Sequence, residues 1–225
     1  MPRSSVSPAR SRTAARKRPA RSAAQTSDGR ERILEVAIRA FSEVGYAGTT
    51  TAGIAREAGV TQPLVHHHFG SKEGLWTAAV DSVFARMPRL PRSAQDGGAP
   101  RETVLDLVEQ FVRFVSDHPE VTRIVAREGA APSPRLDYLL KHYLHEPFRQ
   151  VVDFLRAAQA AGTVDPDIRP ELCLFLILGA GSHLFDVAAL AQRSQGIDTT
   201  SSWTREAFVT VMRTVLEQGL LGRKP

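Results

Sequence analysis

From Asp28 almost to the C-terminus, apolar side chains return every three or four residues, and no useful run alternates apolar with polar. That period buries one face of a helix and cannot bury one face of a strand, so it predicts an all-α protein. Ile33, Leu34, Ala37, Ile38, Phe41 and Val44 mark the first such face, and Gly45 ends it. Thr50 and Thr51 then offer N-cap hydroxyls to a short second helix stopped by Gly59. Thr61 offers one to a third helix with Pro63 in its first turn, where a missing N–H costs nothing. Gly70 breaks that helix and Ser71 opens a fourth, with Leu75, Trp76, Ala79, Val80 and Val83 on its apolar face.

The Pro/Gly-rich "MPRLPRSAQDGGAP" after this fourth helix predicts a boundary between domains. Five further helical stretches follow, over about 101–117, 120–128, 134–161, 170–191 and 203–219. Residues 28–87 thus form one expected domain and 101–225 a second, larger one.

Charge separates off a third region. Residues 1–27 hold seven basic residues and no acid, so a chain of net charge +5 leaves −2 for everything after them. The high isoelectric point belongs to this Ser-, Ala- and Pro-rich tail, which composition predicts to be disordered. Its two readings are a basic arm that strengthens nucleic-acid binding and a solubilising extension. No apolar run approaches the ~20 residues of a membrane helix. A lone Cys173 inside an apolar helix excludes an internal disulfide framework and suits a reducing, cytoplasmic setting.

Residues 51–70 carry the most specific spacing. Two short helices that cross steeply need a small residue at their contact, supplied by Ala55, and a residue tolerant of positive φ at the turn, supplied by Gly59. Ile54, Ala58, Val60 and Val65 form the seam between them. Thr61, Gln62, Pro63, His66 and His67 are left on the outer face of the second helix, the one that enters the DNA major groove in a helix-turn-helix. The Gln62 amide can pair with adenine N6 and N7, while Pro63 and Leu64 can meet thymine methyls.

Three consecutive histidines, His66, His67 and His68, invite a metal reading. Helix neighbours point about 100° apart, so the three rings cannot converge on one ion, and the residues four further on (Gly70, Ser71 and Lys72) are not ligands. A neutral imidazole N–H can still donate to a phosphate, which makes His66 and His67 candidate DNA contacts. No metal, cofactor or catalytic residue is assigned.

The wider segment "RERILEVAIRAFSEVGYAGTTTAGIAREAGVTQPLVHHHFGSKEGLWTAAV" resembles the N-terminal domain of the TetR family of transcriptional repressors over about residues 28–80. The resemblance rests on Phe41-x-x-x-Gly45-Tyr46, on the turn Ala58-Gly59-Val60, and on His68-Phe69-x-Ser71-Lys72-Glu73-x-Leu75. It implies a three-helix helix-turn-helix domain followed by a helical ligand-binding and dimerisation domain. It implies phosphate contacts from Thr50, Thr51, Thr61 and Lys72, backbone contacts from His66 and His67, and a structural His68. Ala52 stands where some members carry a base-reading Arg, so readout should depend more on the third helix. Residues 28–80 hold five basic and six acidic side chains, so DNA affinity must come from local placement, helix N-termini and the tail.

The family's second domain implies a cavity for a small, largely apolar effector. Phe111, Tyr138, His142, Tyr143, Phe175 and His183 are the candidate lining residues, against the simpler expectation that the aromatics are core. "GAGSH" at 179–183 lacks the spacing and preceding strand of a nucleophile elbow. Gly179, Ala180 and Gly181, with Phe208, Val211, Met212 and Val215, suggest a two-fold interface between copies, formed by helices that resemble the family's dimer pair. The implied protein is a homodimeric, ligand-responsive regulator, a repressor on a palindromic double-stranded operator. The alternatives are an α-helical small-molecule-binding enzyme, which no nucleophile–base constellation supports, and a DNA-binding architectural protein without an effector.

Overall fold

The computed structural model describes residues 21–88 and 101–219, the side chains of 21–27 apart. All regular structure among them is helical: α1 (Arg21–Glu43), α2 (Gly45–Gly48), α3 (Thr51–Glu57), α4 (Gln62–Phe69), α5 (Lys72–Phe84), α6 (Arg101–Asp117), α7 (Pro119–Glu128), α8 (Pro134–Leu139), a π-turn (Leu140–Leu144), α9 (His145–Ala160), α10 (Pro170–Asp186), α11 (Ala188–Gln195) and α12 (Ser202–Gly219).

α1 begins at Arg21, seven residues inside the stretch that composition assigns to the tail. Residues 21–27 contain neither Gly nor Pro, and their Arg, Ala and Gln are good helix formers, so nothing stops the helix there. The rest of the expected tail, the linker 89–100 and residues 220–225 lie outside the described residues.

Two cores organise the chain. The first joins Ile33, Ala37 and Phe41 of α1 to Ile54, Val65, Leu75, Trp76 and Val80 of α3 to α5. It then continues into Val121 and Ile124 of α7 and Leu139 of α8. Residues on either side of the Pro/Gly stretch therefore share one packed core. Arg127 ties the two halves again, its Nε donating at 2.9 Å to the Ser42 carbonyl and its Nη2 to that of Glu43, at the open end of α1.

The second core is built on α6, whose Val104, Leu105, Val108, Val112 and Val115 meet Phe154 and Leu155 of α9, Phe185 of α10 and Met212 of α12. A row of ion pairs fixes the rotation of α12 on α6: Arg205 with Asp117, Arg113 with Glu206, and Arg213 with Glu102 and Glu109. With Val209, Met212 and Leu216 turned inward, Val211 and Val215 must face out.

The long helix expected over 134–161 contains a π-turn, and Pro147 supplies the reason. Its nitrogen cannot donate to the carbonyl four residues back, and its ring crowds that carbonyl, so the preceding turn widens. The helix expected over 170–191 is likewise broken at Val187, where α10 and α11 meet at 65°. Arg123 donates at 2.7 Å to the Phe185 carbonyl at that break, and the Thr122 hydroxyl donates at 2.7 Å to Asp186.

Candidate nucleic-acid interface

α3 and α4 meet through Ile54, Ala55, Ala58 and Val65, all buried. The turn between them has Gly59 at φ +66°, with the Gly59 amide donating to the Arg56 carbonyl at 3.3 Å and the Val60 amide to the Ala55 carbonyl at 2.9 Å. That pair of bonds closes the end of α3 and sets the crossing of the two helices.

The threonine run divides by role. Thr49, buried, donates its hydroxyl to the Gly45 carbonyl at 2.7 Å and anchors the approach to α3. Sequence reasoning assigned it nothing, and only its neighbours Thr50 and Thr51 were singled out. Thr50 Oγ1 accepts from the Gly53 amide at 3.0 Å, as an N-cap should, which leaves its O–H free to donate. Thr61 holds the N-cap position of α4 without a side-chain capping bond, contrary to the capping role expected of it. Its ψ of 146° belongs to a cap, but the residue is exposed and its hydroxyl accepts from no amide of the first turn. Ser71 caps α5 through the Gly74 amide at 3.0 Å.

On α4, Thr61, Gln62, Pro63, His66 and His67 are exposed together, whereas Leu64 is partly covered beside Gly29 of α1. Gln62 Nε2 lies 3.3 Å from Thr51 Oγ1 and 3.4 Å from His66 Nε2, and His66 Nδ1 lies 3.1 Å from the Gly70 carbonyl oxygen. Lys72 sits at the start of α5 with its ammonium 4.2 Å from the centre of the Tyr46 ring, which the Arg135 guanidinium also approaches at 4.1 Å. The remaining head cations are largely engaged: Arg32 with Asp28, Arg39 with Glu57, and Arg30 over Phe69.

The three histidines separate. His66 and His67 point to solvent, while His68 is half-buried with its ring edge-on to His67 and Phe69. His68 Nε2 is buried with no hydrogen-bond partner among the described residues. Burial lowers its pKa from the ordinary 6.5, helped by His67 and Arg30. The folded state therefore disfavours a proton that the unfolded chain accepts. Stability from this group is complete above about pH 6.5 and is lost as the pH falls below it. Thermal melts between about pH 8 and pH 5 should show a decline that is shallower in His68→Phe; parallel declines in the two proteins would remove His68 as the cause.

The candidate effector residues are not gathered into one cavity. Tyr138, His142 and Tyr143 do come together, with Tyr138 and His142 ring centres 4.3 Å apart. Both tyrosine hydroxyls donate to Asp81 Oδ1 on α5, at 2.8 and 2.6 Å. Burial and the neighbouring carboxylate raise the pKa of each tyrosine. Phe111 instead packs in the second core under Gly181, and Phe175 and His183 face outward from α10. Phe175 does border an open groove of about 330 Å³ between α9 and α10, lined also by Phe148, Val152, Leu174, Arg149 and Arg156.

The expected two-fold face also changes membership. Gly181, Phe208 and Met212 are turned into the second core. The outward stripe of α10 is Leu172, Phe175, Leu176, Gly179, Ala180 and His183, and α12 exposes Val211 and Val215.

Residues 33–79 match the description "Bacterial regulatory proteins, tetR family", and residues 100–216 match "Tetracyclin repressor-like, C-terminal domain". The chain belongs to the TetR family. Among its relatives, the HTH-type transcriptional regulator RutR of Escherichia coli (strain K12) is 25% identical over 168 residues, covering 73% of this chain and 77% of RutR. The regulator BetI of Rhizobium meliloti (strain 1021) is 35% identical over 92 residues, covering 40% of this chain and 45% of BetI. Among solved structures, AibR in complex with isovaleryl coenzyme A and operator DNA shares the fold at a TM-score of 0.66 and 19% identity, covering 83% of this chain and 97% of AibR. The ketosteroid regulator KstR2 of Mycobacterium tuberculosis does so at 0.61 and 23%, covering 86% and 95%. This TetR-family chain is a DNA-binding transcriptional regulator, and its relatives are regulators rather than enzymes.

Proposed function

We propose that this TetR-family regulator binds a palindromic operator as a homodimer, represses from it, and is released by a small, largely apolar effector. The observation that carries the reading is the undivided exposed face of α4, where Thr61, Gln62, Pro63 and His67 stand free of the apolar seam. Gln62 reads a base edge in the major groove, with Pro63 and Leu64 against thymine methyls. The hydroxyls of Thr50, Thr51 and Thr61, the His67 imidazole and the Lys72 ammonium hold the backbone on either side, while His66 stands against Gln62.

Gln62→Ala should cost about 1–3 kcal/mol on the specific site and relax the preference at one base pair of each half-site. Binding-site selection on both proteins tests this, and an unchanged preference would remove Gln62 from readout.

Two recognition helices read two half-sites only when a dimer fixes their separation. The exposed Leu172, Phe175 and Leu176 of α10 and Val211 and Val215 of α12 support that dimer, since large apolar side chains exposed together on a helix face are the kind of surface a partner covers. An effector acts by binding better to a state with the wrong separation. Asp81 supports a route for it: this carboxylate on α5, within the DNA-binding head, accepts from two tyrosines of the ligand-side domain. The effector site is drawn from Tyr138, His142 and Tyr143 at this contact and from the open groove beside Phe175.

A further inference from the structure

The carbonyl of Gly70 has one role open to it, that of acceptor, and it lies 3.1 Å from His66 Nδ1. The proton of the neutral imidazole therefore sits on Nδ1, which leaves Nε2 with a lone pair. That lone pair faces Gln62 Nε2 at 3.4 Å. With the amide turned over, Gln62 Oε1 would meet it lone pair to lone pair, so the NH₂ group must be the end that faces His66. The second amide hydrogen points at Thr51 Oγ1, 3.3 Å away. Both donors of Gln62 are thus directed into the protein, and its one remaining free group is the carbonyl oxygen. Gln62, His66 and Gly70 can form this chain because residues four apart share a helix face.

From this geometry we infer that His66 is a specificity-positioning residue, which makes Gln62 present a hydrogen-bond acceptor to the DNA. An acceptor is matched by a base whose major-groove edge offers a donor: adenine through N6 or cytosine through N4. Guanine O6 and thymine O4 would oppose it. The inference rests on Gln62 as a base reader and adds which edge it reads and what sets its orientation. His66 acts here through Gln62, its own two nitrogens being occupied within the protein.

The test compares wild type, Gln62→Ala, His66→Phe and the double variant, each as the full chain, by selection from randomised duplexes. The wild type should prefer A or C over G or T by about tenfold at one position of each half-site. His66→Phe should reduce that preference to within about threefold at the same position, by freeing the amide to turn. In the Gln62→Ala background it should change nothing further there. If Gln62→Ala relaxes the position while His66→Phe only weakens binding equally on all sequences, His66 is a backbone contact and the inference falls while the base reading stands. If Gln62→Ala leaves every position unchanged, the base reading itself falls. Imidazole nitrogen chemical shifts give an independent check, since a His66 protonated on Nε2 rather than Nδ1 would overturn the chain at its first link.

Discussion

Leu176→Arg should yield a folded monomer that has lost its operator. Leu172, Phe175 and Leu176 are 64%, 64% and 66% exposed on one stripe of α10, and Val211 and Val215 of α12 are 54% and 60% exposed. Gly179 and Ala180 lie within the stripe, and a Cβ built on Gly179 meets nothing within 4 Å, so a second helix can approach closely there. In a two-fold interface each substitution is present twice, and an unpaired guanidinium on each side must leave water with no partner. A loss of about 3 kcal/mol or more is expected, raising the dimer dissociation constant by roughly a hundredfold or beyond. Operator affinity should fall with it, because a monomer holds one half-site. In the isolated chain position 176 faces solvent, so the thermal melt of the monomer should retain its cooperativity. Sedimentation and operator titration on one sample decide the matter: a dimer with undiminished affinity would place the interface elsewhere.

Gly181→Leu, one residue beyond Ala180, should do the opposite and damage the fold of each chain. A Cβ at this position would lie 2.8 Å from Cε1 and 3.0 Å from Cδ1 of Phe111, with Val112 Cγ2 at 3.5 Å. The Phe111 ring is partly buried and packs against the core built on α6, so its withdrawal disturbs that packing. Overpacking of this kind costs about 1–3 kcal/mol for a few methylenes, and the whole Leu side chain should reach the upper end. Against a typical total of about 5–15 kcal/mol that is a large share, and the melting midpoint should drop by roughly 6–12 °C. Gly179→Leu is the internal control. Within one chain it meets open space, and replacing an interior helix glycine should raise single-chain stability by up to about 1 kcal/mol, so both variants are melted in the monomeric Leu176→Arg background. Equal melts for the two variants would refute the buried position of Gly181. The interface role expected of Gly181 from its sequence neighbours is corrected by this contact.

The DNA-binding head was legible because its determinants are local. Ala55, Gly59, Thr50 and Ser71 each act on backbone or side chains only a few positions away, so their spacing states their geometry. The exposed set on α4 followed from helical period alone. Thr49 was missed because its partner carbonyls lie across a turn whose path depends on Gly45 and Tyr46. Thr61 keeps its position as a cap without the expected bond, since rotation about one side-chain torsion is not encoded in spacing.

The period of the apolar residues by itself determined the all-helical architecture of the described residues, the approximate extent of most helices, and which side chains of α4 are left exposed. Tertiary structure alone decided which way the C-terminal helices face. Period marks a stripe as apolar but not which element covers it, so Gly181 and Met212 could be assigned outward until α6 was packed beneath them. The same holds for Tyr138 and Tyr143. Five residues apart on a regular α-helix they would point about 140° from each other. The wider turn ahead of Pro147 lets both hydroxyls reach one oxygen of Asp81, a residue more than fifty positions earlier in the chain. A local pattern specifies what a segment can bury, whereas the partner that buries it is chosen by the energy of the whole packed arrangement.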